Sequence, residues 1–124
     1  MSLRVLLIED SHADALVAEK ALQVSDGEFE ITITGSLGAG IDRLAQGFDA
    51  ILLDLTLPDS AGTETIARMR AAARELPIVV LTSAGENGIA DRCLRAGADA
   101  YRQKGRLGPS ELCAVLNRAI ERGH

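Results

Sequence analysis

Apolar positions along the chain fall into short continuous runs that alternate with longer stretches of helical spacing. The first run, RVLLIED (4–10), is apolar from Val5 to Ile8 and ends in Glu9-Asp10. From Ala13 to Val24 the spacing is helical, with Leu16, Val17, Ala21 and Val24 predicted to share a face. FEITIT (29–34) alternates at period two and reads as an edge or half-exposed strand. Leu37, Ile41, Leu44 and Phe48 return to a helical stripe, and AILLD (50–54) is again a continuous run. Ile66, Met69, Ala73 and Leu76 predict a third helix, and PIVVLT (77–82) a fourth strand. Glu86 to Ala96 reads as a short helix weakened by Gly88, and DAYRQ (99–103) as a more polar strand. After Pro109, Leu112, Val115, Leu116, Ala119 and Ile120 recur at i, i+3, i+4, i+7 and i+8, the strongest helical signal in the chain.

The order is strand then helix, five times over. Such alternation predicts a doubly wound α/β fold, a parallel five-stranded sheet with helices on both faces. The runs at 5–8, 50–53 and 78–81 suit inner parallel strands, which are buried on both sides. Ligand sites in such sheets form beyond the carboxyl ends of the strands. Those ends are chemically distinctive here. The first strand runs into Glu9-Asp10, the third into Asp54, the fourth into Thr82-Ser83, and the fifth is followed by Lys104. Three carboxylates, a hydroxyl and an ammonium are therefore expected along one edge of the sheet, with Asp54 at its mouth.

At 124 residues the sequence reads as one domain, residues 1–124. The apolar fraction is 47% with only 2% aromatic, so the core is built from Leu, Ile, Val and Ala. The net charge of −5 disfavours a nucleic-acid surface, which needs clustered Lys and Arg. Cys93 and Cys113 have no metal-binding spacing and read as small apolar residues in a reducing cytoplasm. No run is long enough for a membrane span, and no signal peptide opens the chain.

Three acids brought together either raise a pKa or take up a cation. Hard oxygen ligands with open water positions suit Mg²⁺. A carboxylate can act as nucleophile toward phosphorus, forming an aspartyl phosphate, and positioning with charge neutralisation carries most of such a reaction. Taken in order, RVLLIED, ILLDLTLPDSAG, PIVVLTSAGE and GADAYRQKG resemble the response-regulator receiver domain of two-component signalling, over essentially the whole chain. The resemblance implies a flavodoxin-like strand order 2-1-3-4-5 and Asp54 as phosphoacceptor. It implies Mg²⁺ held directly by Asp10, Asp54 and the backbone carbonyl of Thr56, with Glu9 acting mainly through water. Lys104 would bond the phosphoryl group, and Thr82 and Tyr101 would form the switch pair. The implied donor is a sensor histidine kinase or a histidine phosphotransfer protein. The implied output is binding of an effector protein by the face of the fourth helix, fifth strand and fifth helix, as monomer or phosphorylation-dependent dimer. The only catalysis expected is the domain's own phosphorylation and dephosphorylation.

Singly, each residue has a plainer reading. Glu9-Asp10 could be acids favoured at a helix N-terminus, Asp54 a strand-end cap, Thr82 a strand residue, Lys104 a solvated lysine and Tyr101 packing. His12 reads as an exposed residue at the first helix start, without a phosphotransfer role. Pro58, Asp59 and Gly62 are expected to shape the turn into the third helix. No output segment follows the fifth helix in this sequence. Two versions of the reading remain: a stand-alone receiver, or a receiver segment of a larger hybrid kinase or cyclic-di-GMP enzyme. A pseudo-receiver, never phosphorylated, is the interaction-module alternative, and the intact acid set with Thr82 and Lys104 argues against it. A haloacid-dehalogenase-type phosphatase would need an acid where Thr56 stands, and a flavin carrier would need a Ser/Thr/Gly phosphate loop where Glu9-Asp10 stands. One departure from the family pattern is Gly105, where proline is usual. A Lys-Gly bond is expected to be trans, and the loop after it more mobile.

Overall fold

The computed structural model describes residues 2–24, 28–83 and 87–122. In chain order the elements are β1 (Leu3–Ile8), α1 (His12–Val24), β2 (Phe29–Thr34), α2 (Leu37–Arg43), β3 (Ala50–Leu53), α3 (Thr63–Ala72), β4 (Ile78–Thr82), α4 (Ile89–Ala96), β5 (Ala100–Gln103) and α5 (Pro109–Arg122). A 3₁₀ turn, Leu44–Gln46, extends α2. The five strands form one parallel sheet, as the alternation predicts, in the order β2-β1-β3-β4-β5, as the resemblance implies.

The apolar runs become inner strands because parallel strands covered by helices on both sides have no solvent face. Side chains alternate across the sheet and split the core in two. Leu6, Ile8, Ile51, Leu53 and Val80 pack toward α2, α3 and α4. Val5, Leu7, Leu52 and Val79 pack toward α1 and α5. β2 pairs on one side only, which agrees with its half-buried alternation. In α5 the five stripe residues predicted to face the core are all buried.

Several sequence expectations need correction. The second and third helical stripes overrun, because the 3₁₀ extension of α2 ends at Gln46, before Phe48, and α3 ends at Ala72, before Leu76. In α1 the buried positions are Ala15, Ala18 and Leu22, whereas Leu16, Val17 and Val24 are 39%, 69% and 78% exposed. Apolar residues surround this helix, so spacing alone does not choose its inner face; two alanines are what let the helix lie close to the sheet. The fourth helix begins at Ile89 rather than Glu86, which lies outside the described residues. Gly88 has φ +77°, a left-handed conformation that cannot sit inside a right-handed helix.

Register delivers the functional residues to one edge. Ile8 pairs with Leu53, which sets Glu9 beside Asp54. Thr82 pairs with Gln103, which sets Lys104 one residue past the end of β4. The position of Ile8 also depends on Gly40 of α2, where a Cβ would overlap the fully buried Ile8 side chain. Gly40→Ala is therefore expected to cost about 1 kcal/mol net, overpacking of about 1–3 kcal/mol being offset by roughly 1 kcal/mol of helix propensity. Gly35→Ala, with open space around the added methyl, should stay within about 0.5 kcal/mol of the parent. Parallel denaturant titrations of the two variants check this.

Candidate functional site

Asp54 follows the last residue of β3, and its N–H donates to the Ile8 carbonyl at 3.1 Å, continuing the ladder one residue past the strand. Its side chain is buried, 6% exposed, deeper than a residue expected at the mouth of the sheet. One carboxylate oxygen, Oδ1, accepts the backbone N–H groups of Leu55 at 2.8 Å and Thr56 at 3.4 Å. The other, Oδ2, faces the Lys104 ammonium at 3.3 Å. The two oxygens thus have different environments: one is held by backbone, the other is turned toward a cation.

Glu9 is also buried, 5% exposed. Its Oε2 accepts the Ser11 N–H at 3.1 Å, and its Oε1 accepts a hydrogen bond from Lys104 Nζ. Burial pushes the Glu9 carboxyl up to about 7 against the pull of Lys104, and neighbouring Asp54 adds to the rise. Asp10 is exposed at the rim. Ligand oxygens of Glu9, Asp10 and Asp54 all lie within 4.8 Å of one another. Three carboxylates against one ammonium leave an excess of negative charge, and the donors are all hard oxygens, so the residues fit a divalent cation of the Mg²⁺ type. The direct Glu9–Lys104 bond is a contact that the expectation of a water-mediated Glu9 did not include.

Lys104 sits in a tight turn. Its N–H donates to the Thr82 carbonyl at 2.9 Å, and the Arg106 N–H reaches the Gln103 carbonyl at 3.4 Å. Gly105, third in this turn, has φ +83°. A proline, fixed near φ −65°, could not take that conformation, so the turn at Gly105 differs in kind from an X-Pro turn. The Lys104–Gly105 bond is trans, as expected. Burial pulls the Lys104 ammonium down, but hydrogen bonds to Glu9 and Asp14 and the charge of Asp54 overcome it and push it up to about 12. Lys104 is therefore a fixed positive charge at any working pH.

Thr82 ends β4 and is 1% exposed. With Leu55, Thr56, Gly62, Thr63, Ile89 and Arg92 it lines a cleft of about 340 Å³ beside Asp54. Thr56, exposed, lies in this cleft two residues past Asp54. Tyr101 pairs with Val80, so it stands diagonal to Thr82 on the same face of the sheet. It is half-buried against the core beneath α3 and α4, and that burial pushes its phenol up. His12 is exposed at the start of α1.

Three residues here escaped the sequence reading. Asp14 Oδ2 accepts a second hydrogen bond from Lys104 Nζ, at 3.0 Å. Ser11 binds Glu9 through its N–H and caps α1 through its hydroxyl, which accepts the Asp14 N–H at 3.2 Å. Asp59, assigned only to a turn, reaches across to α2: Oδ1 accepts the Leu37 N–H and Oδ2 the Gly38 N–H, both at 2.9 Å. Asp14 lies one helical turn past Asp10, which the sequence contained; the Asp59 contact spans more than twenty residues and left no local signal. Asp59 stands with Pro58 at the tip of a hairpin whose arms are Thr56–Leu57 and Ser60–Ala61. The chain after the buried carboxylate is thereby fastened to α2.

Comparison with known proteins agrees with this geometry. The model of the response regulator receiver domain matches residues 5–117. The cell cycle transcriptional regulator CtrA of Caulobacter vibrioides is 32% identical over 124 residues, covering 98% of this chain and 53% of the relative. A putative response regulator from Chloroflexus aurantiacus superposes with a TM-score of 0.86 at 24% identity, over 98% of this chain and 100% of the other. The receiver domain of sensor histidine kinase PA1611 from Pseudomonas aeruginosa, solved with a magnesium ion in its active-site cleft, gives 0.82 at 28% identity over 98% and 99%. The chain belongs to the response-regulator receiver family and spans about half the length of the curated relatives it matches. Among the described residues no helix is long and apolar enough to cross a membrane.

The Asp59 clamp has a pH signature. The N–H groups of Gly38 and Leu37 hold its carboxyl below the ordinary 3.8. A depressed folded-state pKa gives stability that is present above the unfolded value and is lost as pH falls through the folded one. Asp59→Asn should therefore lower Tm at neutral pH. Its deficit relative to the parent should close as both are acidified below about pH 3.8, as read by thermal unfolding at several pH values.

Proposed function

We propose that the domain accepts a phosphoryl group on Asp54 from the phosphohistidine of a partner kinase or histidine phosphotransfer protein, and so switches an effector-binding face. The observation that carries this reading is the asymmetry of Asp54. Backbone N–H groups hold Oδ1, while Oδ2 is turned toward the ammonium of Lys104. In the transfer, Oδ2 attacks phosphorus as the phosphorus–nitrogen bond breaks, and the imidazole leaves with the electron pair of that bond. The phosphoryl group becomes an acyl phosphate on Asp54. Glu9, Asp10 and Asp54 are the side chains that would hold Mg²⁺, together with the Thr56 carbonyl. A bound Mg²⁺ supplies neutralisation of these carboxylates and of the phosphoryl oxygens.

Lys104 donates to a phosphoryl oxygen in place of Asp54 Oδ2. The Thr82 hydroxyl turns toward the same group, and Tyr101 moves inward behind it. Buried Thr82 and half-buried Tyr101, diagonal on one sheet face, make their movement a shared packing event. Tyr101 also lines a groove with Leu94, Arg102, Arg118 and Arg122, on the face of α4, β5 and α5 where an effector would bind. The receiver's catalysis is confined to its own phosphorylation and dephosphorylation. Attached to an output segment or acting alone, the domain would do the same chemistry.

Incubation with Mg²⁺ and acetyl phosphate should add one phosphoryl group to the parent by intact mass, and none to Asp54→Asn. Lys104→Met should slow the gain about tenfold or more, as for removal of a charged donor from a developing anion. A parent that binds Mg²⁺ but accepts nothing from acetyl phosphate or from a phosphohistidine donor would refute the reading.

A further inference from the structure

Lys104 has three carboxylate partners, and they differ in what else they do. Glu9 and Asp54 belong to the acid trio whose oxygens converge within 4.8 Å. Asp14 lies outside that trio, in the first turn of α1, yet its Oδ2 stands 3.0 Å from Nζ, closer than Asp54 Oδ2 at 3.3 Å. An ammonium has three donors, and the three carboxylates account for all of them. Whatever engages Glu9 and Asp54 competes with Lys104 for the same oxygens. Asp14 is the one partner not subject to that competition.

The turn that carries Lys104 adds to the need. Gly105 has a positive φ, and among the described residues outside its chain neighbours no atom lies within 4 Å of where its Cβ would be, so the residue after Lys104 adds no side-chain packing of its own. The backbone of Lys104 is held by the Thr82 carbonyl, but its ammonium lies at the end of four methylenes. Asp14 is itself well placed to be rigid. Its N–H is capped by Ser11 Oγ at 3.2 Å, and an acid in the first turn suits the helix dipole. It is 48% exposed while Glu9 and Asp54 are buried, so it grips Lys104 from the solvent side.

We infer that Asp14 is a positioning residue for the phosphorylation site: it holds the Lys104 ammonium at the acceptor when Glu9 and Asp54 are otherwise engaged. This rests on the phosphoacceptor reading above. The contribution is that of a half-exposed ion pair, so the effect on rate is modest and must be isolated by coupling.

The test is a double-mutant cycle on the full chain with Asp14→Asn and Lys104→Met. With Mg²⁺ and acetyl phosphate, Asp14→Asn should slow phosphorylation of Asp54 roughly two- to fivefold, and Asp14→Glu should recover part of the loss. In the Lys104→Met background the same substitution should have no effect, because a residue acting through Lys104 has nothing left to position. The same cycle in thermal unfolding without Mg²⁺ or donor should show the two sites coupled. An equal slowing in both backgrounds would make Asp14 merely structural and overturn the inference. So would an Asp14→Asn rate equal to or faster than the parent's, or absence of coupling in unfolding. These outcomes leave the phosphoacceptor reading intact provided Lys104→Met is slow. A parent that accepts no phosphoryl group, or a Lys104→Met variant as fast as the parent, removes that reading and this inference with it.

Discussion

Glu9 and Asp54 lie side by side, both almost wholly withdrawn from water, at the end of a sheet whose interior is aliphatic. Were both charged, they would repel by at least about 3.5 kcal/mol at an effective dielectric of about 20. The neutralising charge beside them is the ammonium of Lys104, brought from a different strand by the turn after β5. That electrostatic need explains why the Lys104 ammonium is tied to the sheet edge. Burial, with Asp54 adding to it, raises the Glu9 carboxyl, while the surrounding acids keep Lys104 charged. An acid pocket short of positive charge suits a divalent cation.

The two ends of the sheet treat polar groups in opposite ways. At the amino end, charges are matched and used as fasteners. The Arg70 guanidinium donates to the Gly97 carbonyl at 2.7 Å, the Leu76 carbonyl at 2.7 Å and Asp99 at 2.8 Å, while the same Asp99 oxygen accepts the Ile78 N–H. Arg4 links Gln46 and stacks over Phe48, and its N–H donates to Asp49 at 2.8 Å. At the carboxyl end, carboxylates outnumber the ammonium. The amino end holds the strands in register, and the register is what sets Glu9 against Asp54 at the other end.

Membership of the receiver family and the site's geometry support each other through different facts. The family match covers residues 5–117 and concerns the chain as a whole. The geometry concerns individual atoms: an aspartate with one oxygen bound to backbone, a lysine shared among three acids, a glycine turn where proline would not fit. The last two give this domain its own character. Its lysine is oriented by ionic partners just past the ends of β1 and β3 and in the first turn of α1.

Much of this was legible in the sequence. Alternation of apolar runs with helical stripes determined the five βα units, because a strand buried on two faces and a helix buried on one leave different periodicities. Strands ending in Glu9-Asp10, Asp54 and Thr82 pointed to a site at the carboxyl edge, because a parallel sheet places all those ends together. Other features were left to the tertiary structure. The inner face of α1 was decided by contact with the sheet, since Leu16, Val17 and Val24 are as apolar as the residues it buries. The start of α4 was decided by the backbone of Gly88. The roles of Asp14 and Asp59 arose from approaches between segments far apart in the chain, 90 residues for Asp14 and Lys104. Periodicity records which side of an element is dry; it does not record which distant polar group an exposed acid will meet.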